Sequence, residues 1–347
     1  MRFYQPHTQF YCAIDLHTRN MYLCILTRDN DVLFHRGMKN DPKRFLKTIE
    51  PYRESVVVVA ESTSSWYWLA DLCADQDLEF VLGHALYMKA IHGAKTKNDR
   101  IDSEKIAKLT AGSLLPQSYV YPRAHRSVRD LLRRRLKLVR QRAELYAHVR
   151  TVNTQFNLPA LGDDLKRKAK RESIPEHFDD SAARRSVEAD LELIDSYDPL
   201  VYSLERYIDR ATRDIYAKER AILQSVPGIG TIISLTILLE IDRIDRFPTR
   251  QKFSLYSRLV YPRGESDGKL YGVQGRKHGN PYLKWAFSEA VVCAARECEE
   301  IAKCLSRLER KYGKGKGKSI LGHKLGRCVY CMLLREKVFD LDKFLRR

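Results

Sequence analysis

The first 118 residues predict an α/β domain, and three observations predict it. Two β-rich runs stand at hairpin spacing, a run of four valines follows, and strand-like and helix-like stretches then alternate. "FYCAIDLH" (10–17) is apolar enough for a strand, and "NMYLCILT" (20–27) follows it after a two-residue gap. "DVLFHRGM" (31–38) makes a third strand beyond the turn "RDN". "DPKRFLKTIEPY" reads as a short helix opened by Asp41 and Pro42. "SVVVVAE" (55–61) is the most β-branched run of the chain, which suits a central strand buried on both faces. An amphipathic helix over "SWYWLADLCADQ", a fifth strand over "LEFVLG" and a helix around Asp99 complete the set. Three antiparallel strands, then strands alternating with helices, is the order of a ribonuclease-H-like core.

Four acids stand out within that order. Asp15 is the one charge inside the first strand, and Glu61 ends the four-valine strand. An acid in a dry sheet costs on the order of several kcal/mol unless something compensates it. Asp99 and Asp102 lie three apart, hence on one helix face. Asp is also common at helix starts, where it caps backbone N–H groups, and Asp99 fits that use too. If strands one and four are neighbours, Asp15 and Glu61 project together and the Asp99 helix can pack beside them. Four carboxylates in one place call for divalent cations, and hard oxygen donors select Mg²⁺ or Mn²⁺. Two such ions about 4 Å apart clamp the attacking and leaving oxygens of a phosphodiester displacement. An actin-like ATPase reading of the same core fails on its phosphate cradle, since Asp15 is followed by "LHTRN", without glycine.

Composition points to a polyanion. The chain carries 62 Lys and Arg against 44 Asp and Glu, a formal charge of +18. Nucleic acid is the commonest partner of so basic a chain. The longest apolar run, around "TIISLTILLEI", is too short to span a bilayer, and "MRFYQPHTQF" has no signal-peptide core, so the chain reads as cytoplasmic, with no membrane partner. Of eight cysteines, Cys12, Cys24 and Cys73 read as buried thiols. The single C-x-x-C of Cys328 and Cys331 lacks the second pair that zinc requires.

The middle, residues 119–224, reads as a basic helical and coiled-coil segment. Residues 125–158 form a helix with an apolar stripe, and residues 123–172 hold fifteen Lys and Arg against five Asp and Glu. That excess favours contact with a phosphate backbone, through Arg133, Arg134, Arg135, Lys137 and Arg140. A second helix is expected to start at Asp198-Pro199, with Val201, Leu204, Ile208, Ala211, Ile215, Lys218 and Ile222 as a coiled-coil seam. Between the two, residues 162–185 are charged and poor in apolar residues, which predicts a loop or mobile segment.

Residues 225–347 read as a mainly α domain. "SVPGIGTIISLTILLEI" (225–241) joins a P-G-I-G turn to an amphipathic helix, either half of a helix-hairpin-helix or a plain packing corner. In "YPRGESDGKLYGVQGRKHGNPYLKWAF" (261–287), Ser266 stands among glycines and the cations Lys269, Arg276 and Lys277. By itself it is a turn serine.

Taken in order, "AIDLH", "VVVAEST", "KNDRIDSEKIA", "VPGIGTIISLTILLEI" and "SDGK…GRKHGNPYLKWA" form a recognisable set. The chain resembles the DEDD transposases of bacterial insertion sequences, a family that includes the Piv-type DNA invertases, and the likeness runs over nearly its whole length. The resemblance implies a RuvC-like domain (1–118) holding Asp15, Glu61, Asp99 and Asp102 as Mg²⁺ ligands. It also implies a C-terminal transposase domain whose nucleophilic serine is, by position, Ser266. The family usually shows a serine pair before two glycines; here Glu265 precedes Ser266, and Asp267 replaces the first glycine. The partners it implies are double-stranded donor and target DNA, a structured bridge RNA that pairs with both, and further copies of the chain in a dimer or tetramer. A junction-resolving nuclease that uses water, or a non-catalytic nucleic-acid-binding protein, are the competing readings.

Overall fold

The computed structural model describes residues 2–91, 98–260, 263–266, 269–273 and 278–346, with the backbone alone at 89–90, 263–266 and 269–273. Residues Met1–Arg123 and Ala124–Arg347 form two compact units.

In the first unit, β1 (Phe10–Leu16), β2 (Asn20–Thr27) and β3 (Val32–Lys39) make an antiparallel meander. Helix α1 (Pro42–Ile49) starts where the Asp41 carboxylate accepts from the N–H groups of Lys43 and Arg44. It leads to β4 (Val56–Glu61), which pairs parallel to β1 from Phe10↔Val56 to Ile14↔Ala60. Helix α2 (Tyr67–Asp75), strand β5 (Glu79–Gly83) parallel to β4, and helices α3 (Ala85–Ile91) and α4 (Asp99–Ala111) follow. The sheet order is β3-β2-β1-β4-β5, so the first and fourth strands are neighbours and the domain is ribonuclease-H-like.

Strand alternation divides the side chains between two cores. Cys12, Ile14, Val58 and Ala60 face Phe45 of α1 and Leu69 of α2. Tyr11, Ala13, Val57 and Val59 face Ile106, Ala107 and Leu109 of α4. All four valines are therefore buried, two on each face. Cys12, Cys24 and Cys73 are buried in this unit, and burial pushes the Cys24 and Cys73 thiols up to about 12.

The second unit opens with α5 (Arg123–Gln155), followed by the short α6 (Lys168–Arg171) and α7 (Ser181–Thr212). Helix α7 corrects three expectations. It starts at Ser181, capped by Asp180, and carries Pro199 in its interior instead of at its start. An interior proline costs about 3 kcal/mol. The buried stripe Val187, Leu191, Ile194, Val201 and Ile208 runs through it without a break, and Arg171 ties Asp195 and Asp198 on either turn, at 2.6 and 2.8 Å. Packing of a continuous face outweighs the local rule. The expected seam is interrupted, because α7 ends at Thr212 and α8 (Ala217–Gln224) begins after a turn that leaves Ile215 exposed. Nor is the stretch before α7 a bare loop. Leu161, Leu165, Ile174 and Phe178 are all buried there with α5 and α7 residues, so few apolar side chains suffice when each is used.

Helix α9 (Thr231–Ile241) meets α8 through the P-G-I-G turn. It is buried from Ile233 to Ile241 on every side, Ser234, Thr236 and Glu240 included, so it is a core helix and not an amphipathic one. Helix α10 (Arg250–Tyr256), the strand pair β6 (Arg263–Ser266) and β7 (Lys269–Val273), and helices α11 (Pro281–Glu297), α12 (Glu299–Tyr312), α13 (Lys314–Arg335) and α14 (Leu341–Leu345) complete the chain. β6 and β7 pair antiparallel, with Ser266 opposite Lys269 at the tip.

Candidate active site and nucleic-acid surface

Strand alternation fixes where the acids go. Asp15 is an odd-numbered residue of β1, on the face of Tyr11 and Ala13, and Glu61 shares the face of Val57 and Val59 on β4. Helix α4 covers that face, and its buried residues Ser103, Ile106 and Thr110 turn the same side inward. The first turn of α4 thus brings Asp99 to the end of β1, with Asp102 one turn further along the helix. The cap of that helix is Asn98, whose side chain accepts from Arg100 N–H at 3.0 Å, so Asp99 is not the capping residue.

Asp15 is 7 % exposed. His17, two residues on, places Nε2 3.4 Å from Asp15 Oδ2 and 3.2 Å from Asp99 Oδ1. The three donor atoms of Asp15, His17 and Asp99 lie within 4.8 Å of one another, a set that fits a divalent cation. Among the described residues, Glu61 and Asp102 stand outside that group. Asp102 has Lys105 Nζ 3.5 Å away. The sequence reading missed His17, although a signal existed: D-x-H at a strand end puts both side chains on one face.

The basic helix divides into two kinds of cation. Arg129 donates through Nε to Glu240 Oε2 at 3.0 Å, and Arg133 donates through Nε and Nη2 to Oε1 and Oε2 at 2.6 and 2.8 Å. Asn280 adds Nδ2 at 2.7 Å, while its Oδ1 caps α11. Burial alone would raise the Glu240 carboxyl; the Arg133 hydrogen bond, the charges of Arg129 and Arg133 and the Asn280 amide together hold it below the usual carboxylate range. Arg133 also lies over the Tyr282 ring, and Arg135 pairs with Glu205. Arg134, Lys137 and Arg140, spaced by three, are exposed and present their charge outward.

The P-G-I-G turn is tightly packed. Gly228 has φ +78°, and a Cβ there would come within 2.3 Å of the Ala294 backbone nitrogen in α11. Its N–H donates to Glu297 Oε2 at 2.7 Å, so that group already has an acceptor within the protein. Of the C-terminal predictions, Ser266 and Lys269 lie on β6 and β7, with only their backbone described. Arg276 and Lys277 lie outside the described residues.

With this geometry in place, two family models match the chain. Residues 12–157 match the DEDD transposase family of the IS110 type, and residues 220–305 match the transposase family IS116/IS110/IS902. Together they cover two thirds of the sequence. The chain is an IS110-family DEDD transposase. It is accordingly a DNA-cleaving and recombining enzyme whose substrate is DNA, and the family implies divalent metal use. No curated protein matches the transposase. No described helix is long and apolar enough to cross a membrane.

Proposed function

We propose that the transposase moves an insertion sequence by serine attack on DNA, guided by a bridge RNA and acting on nucleoid DNA in the cytoplasm. The observation that carries this reading is the Asp15–His17–Asp99 group at the open edge of a ribonuclease-H-like sheet, together with a second family match that spans Ser266. Asp15, His17 and Asp99 would hold Mg²⁺ or Mn²⁺, with Glu61, on the same sheet face as Asp15, and Asp102, on the same helix as Asp99, as the further carboxylates of the set. When bound, the cations would supply Lewis-acid stabilisation of charge developing on the phosphodiester oxygens. Ser266 Oγ attacks phosphorus, an Oγ–P bond forms as the P–O3′ bond breaks, and the proton lost by the serine balances the released 3′-oxygen. Attack of a second 3′-hydroxyl on the phosphoserine restores the serine and completes exchange. Arg134, Lys137 and Arg140 contact phosphates, whereas base pairing with the RNA supplies sequence choice.

The active form is a homo-oligomer. Leu193, Tyr197, Leu200, Leu204 and Tyr207 follow heptad spacing along α7, and Leu193, Leu200 and Tyr207 are about half exposed.

The test is a denaturing gel of end-labelled target DNA incubated with RNA and Mg²⁺. The parent enzyme should give a protein-shifted band, and Ser266→Ala should lose both that band and recombination while still binding DNA. Normal cleavage and exchange by Ser266→Ala would reject the serine and favour a hydrolytic nuclease, which attacks with water.

A further inference from the structure

The α12–α13 hairpin carries charge that neither family match covers, since the second match ends at residue 305. Residues 303–327 hold nine Lys and Arg and one acid, Glu309. Among the described residues, Lys303 pairs with Glu299, and Lys324 meets the Arg346 carbonyl and the Phe344 ring. Six others, Arg307, Arg310, Lys311, Lys314, Lys316 and Lys318, are exposed around the tip. Lys311 and Lys316 both lie over the ring of Tyr312, at 5.2 and 5.4 Å, which draws the two helices' cations to one side chain.

The electrostatics oppose the local structure. Arg310 and Lys311 close α12, where a helix favours cations. Lys314 and Lys316 open α13, where a helix disfavours them, and its first turn contains no acid. Cations gathered this way repel one another unless a polyanion comes between them.

The three glycines of "GKGKG" have different reasons to be glycine. Gly313 has φ +84°, which side chains rarely adopt. Gly317 lies against Glu309, whose backbone a Cβ would approach to 2.8 Å. Gly315 has neither reason: a Cβ there would meet nothing within 4 Å, and glycine is a poor helix former. Among the described residues, nothing requires the missing side chain. It clears a bare strip of helix between Lys314 and Lys316, of the kind used where a ligand must come close.

We infer that the α12–α13 tip is a second DNA contact, which seats the phosphate backbone of a duplex against Gly315 between the lysines. The contact is blind to sequence, because lysine acts as a point charge and phosphates carry no base identity. It rests on the chain acting on DNA, and it is independent of the α5 surface and of Ser266.

The test measures binding of a duplex of arbitrary sequence across a salt series. Replacing Lys314, Lys316 and Lys318 by Gln should make the slope of log K against log salt shallower by about 2.7, as expected for three lost phosphate contacts. Gly315→Ala, which improves the helix, should weaken binding while the thermal transition stays or rises. An unchanged slope in the triple variant, or unchanged binding with Gly315→Ala, overturns the inference. A loss confined to structured RNA, with duplex DNA unaffected, overturns it as well. Arg134, Lys137 and Arg140 changed to Gln form a separate arm, so failure of the α5 reading cannot be mistaken for failure of this one.

Discussion

Asp15 and Glu240 share one sequence signature and have opposite fates. Each is a lone acid in an apolar run, "FYCAIDLH" and "TIISLTILLEI", and each is buried in the structure, at 7 % and 0 % exposure. Glu240 is met by two guanidinium groups and an amide, so its charge is neutralised within the protein. Asp15 is instead met by His17 and, beyond it, by another acid, Asp99. A buried carboxylate surrounded by donors is a structural tie. One that gathers a second carboxylate and an imidazole, as Asp15 does with Asp99 and His17, has a donor set that could hold a cation. Burial alone does not separate them; the sign of the neighbours does.

Breaking the two acids should therefore give opposite phenotypes. Asp15→Asn should abolish DNA cleavage, by at least about a thousandfold, with the unfolding transition little changed, because an acid is removed from a place where acids repel. Gel cleavage in Mg²⁺ and urea unfolding measure the two halves, and a cleaving Asp15→Asn would undo the cation assignment. Glu240→Ala should lower stability by about 3–5 kcal/mol, the range for breaking a buried ion pair, since Arg129 and Arg133 lose their common partner. Urea unfolding checks that as well; a change under about 1 kcal/mol would show the network to be dispensable.

Acid sharpens the comparison further. The Glu240 carboxyl titrates below its unfolded value of about 4.3, so its stabilisation is complete well above that value and is lost as pH falls through the folded value. The stability gap between parent and Glu240→Gln should hold constant near neutrality and narrow in acid. A gap that widened in acid would reverse the sign of the assignment. The smallest effect belongs to His17. His17→Ala should raise the Mg²⁺ concentration for half-maximal cleavage about tenfold and leave duplex binding alone. An unaltered Mg²⁺ dependence would remove His17 from the ligand set.

The sheet was legible because β-branched runs at hairpin spacing leave little choice of element, and the charge within "AIDLH" marked Asp15 directly. His17 was not, because a histidine at a strand end is ordinary until Asp99 is folded against it. The fate of the α5 arginines was equally hidden. Arg133 finds Glu240 107 positions away, a pairing that local charge counting cannot see, so the five cations expected to contact phosphate divide into internal ties and exposed charges. Pro199 misled for the opposite reason: a strong local rule was overruled by a face that continues through it. Ser266 rests on family position, and the side chains around it lie outside the described residues.

Gly228 has a further consequence for how this enzyme can be lost. The residue has no catalytic chemistry, yet its α-carbon sits where even one added methyl would drive into the backbone at Ala294, and its φ of +78° excludes the usual relaxation. Neither this turn nor α11 can step aside without opening the core around them. In a random library screened for recombination, position 228 should come back as glycine alone. Inactivating drift in this gene therefore has targets far from any acid or serine, at places where two stretches of main chain have left no room between them.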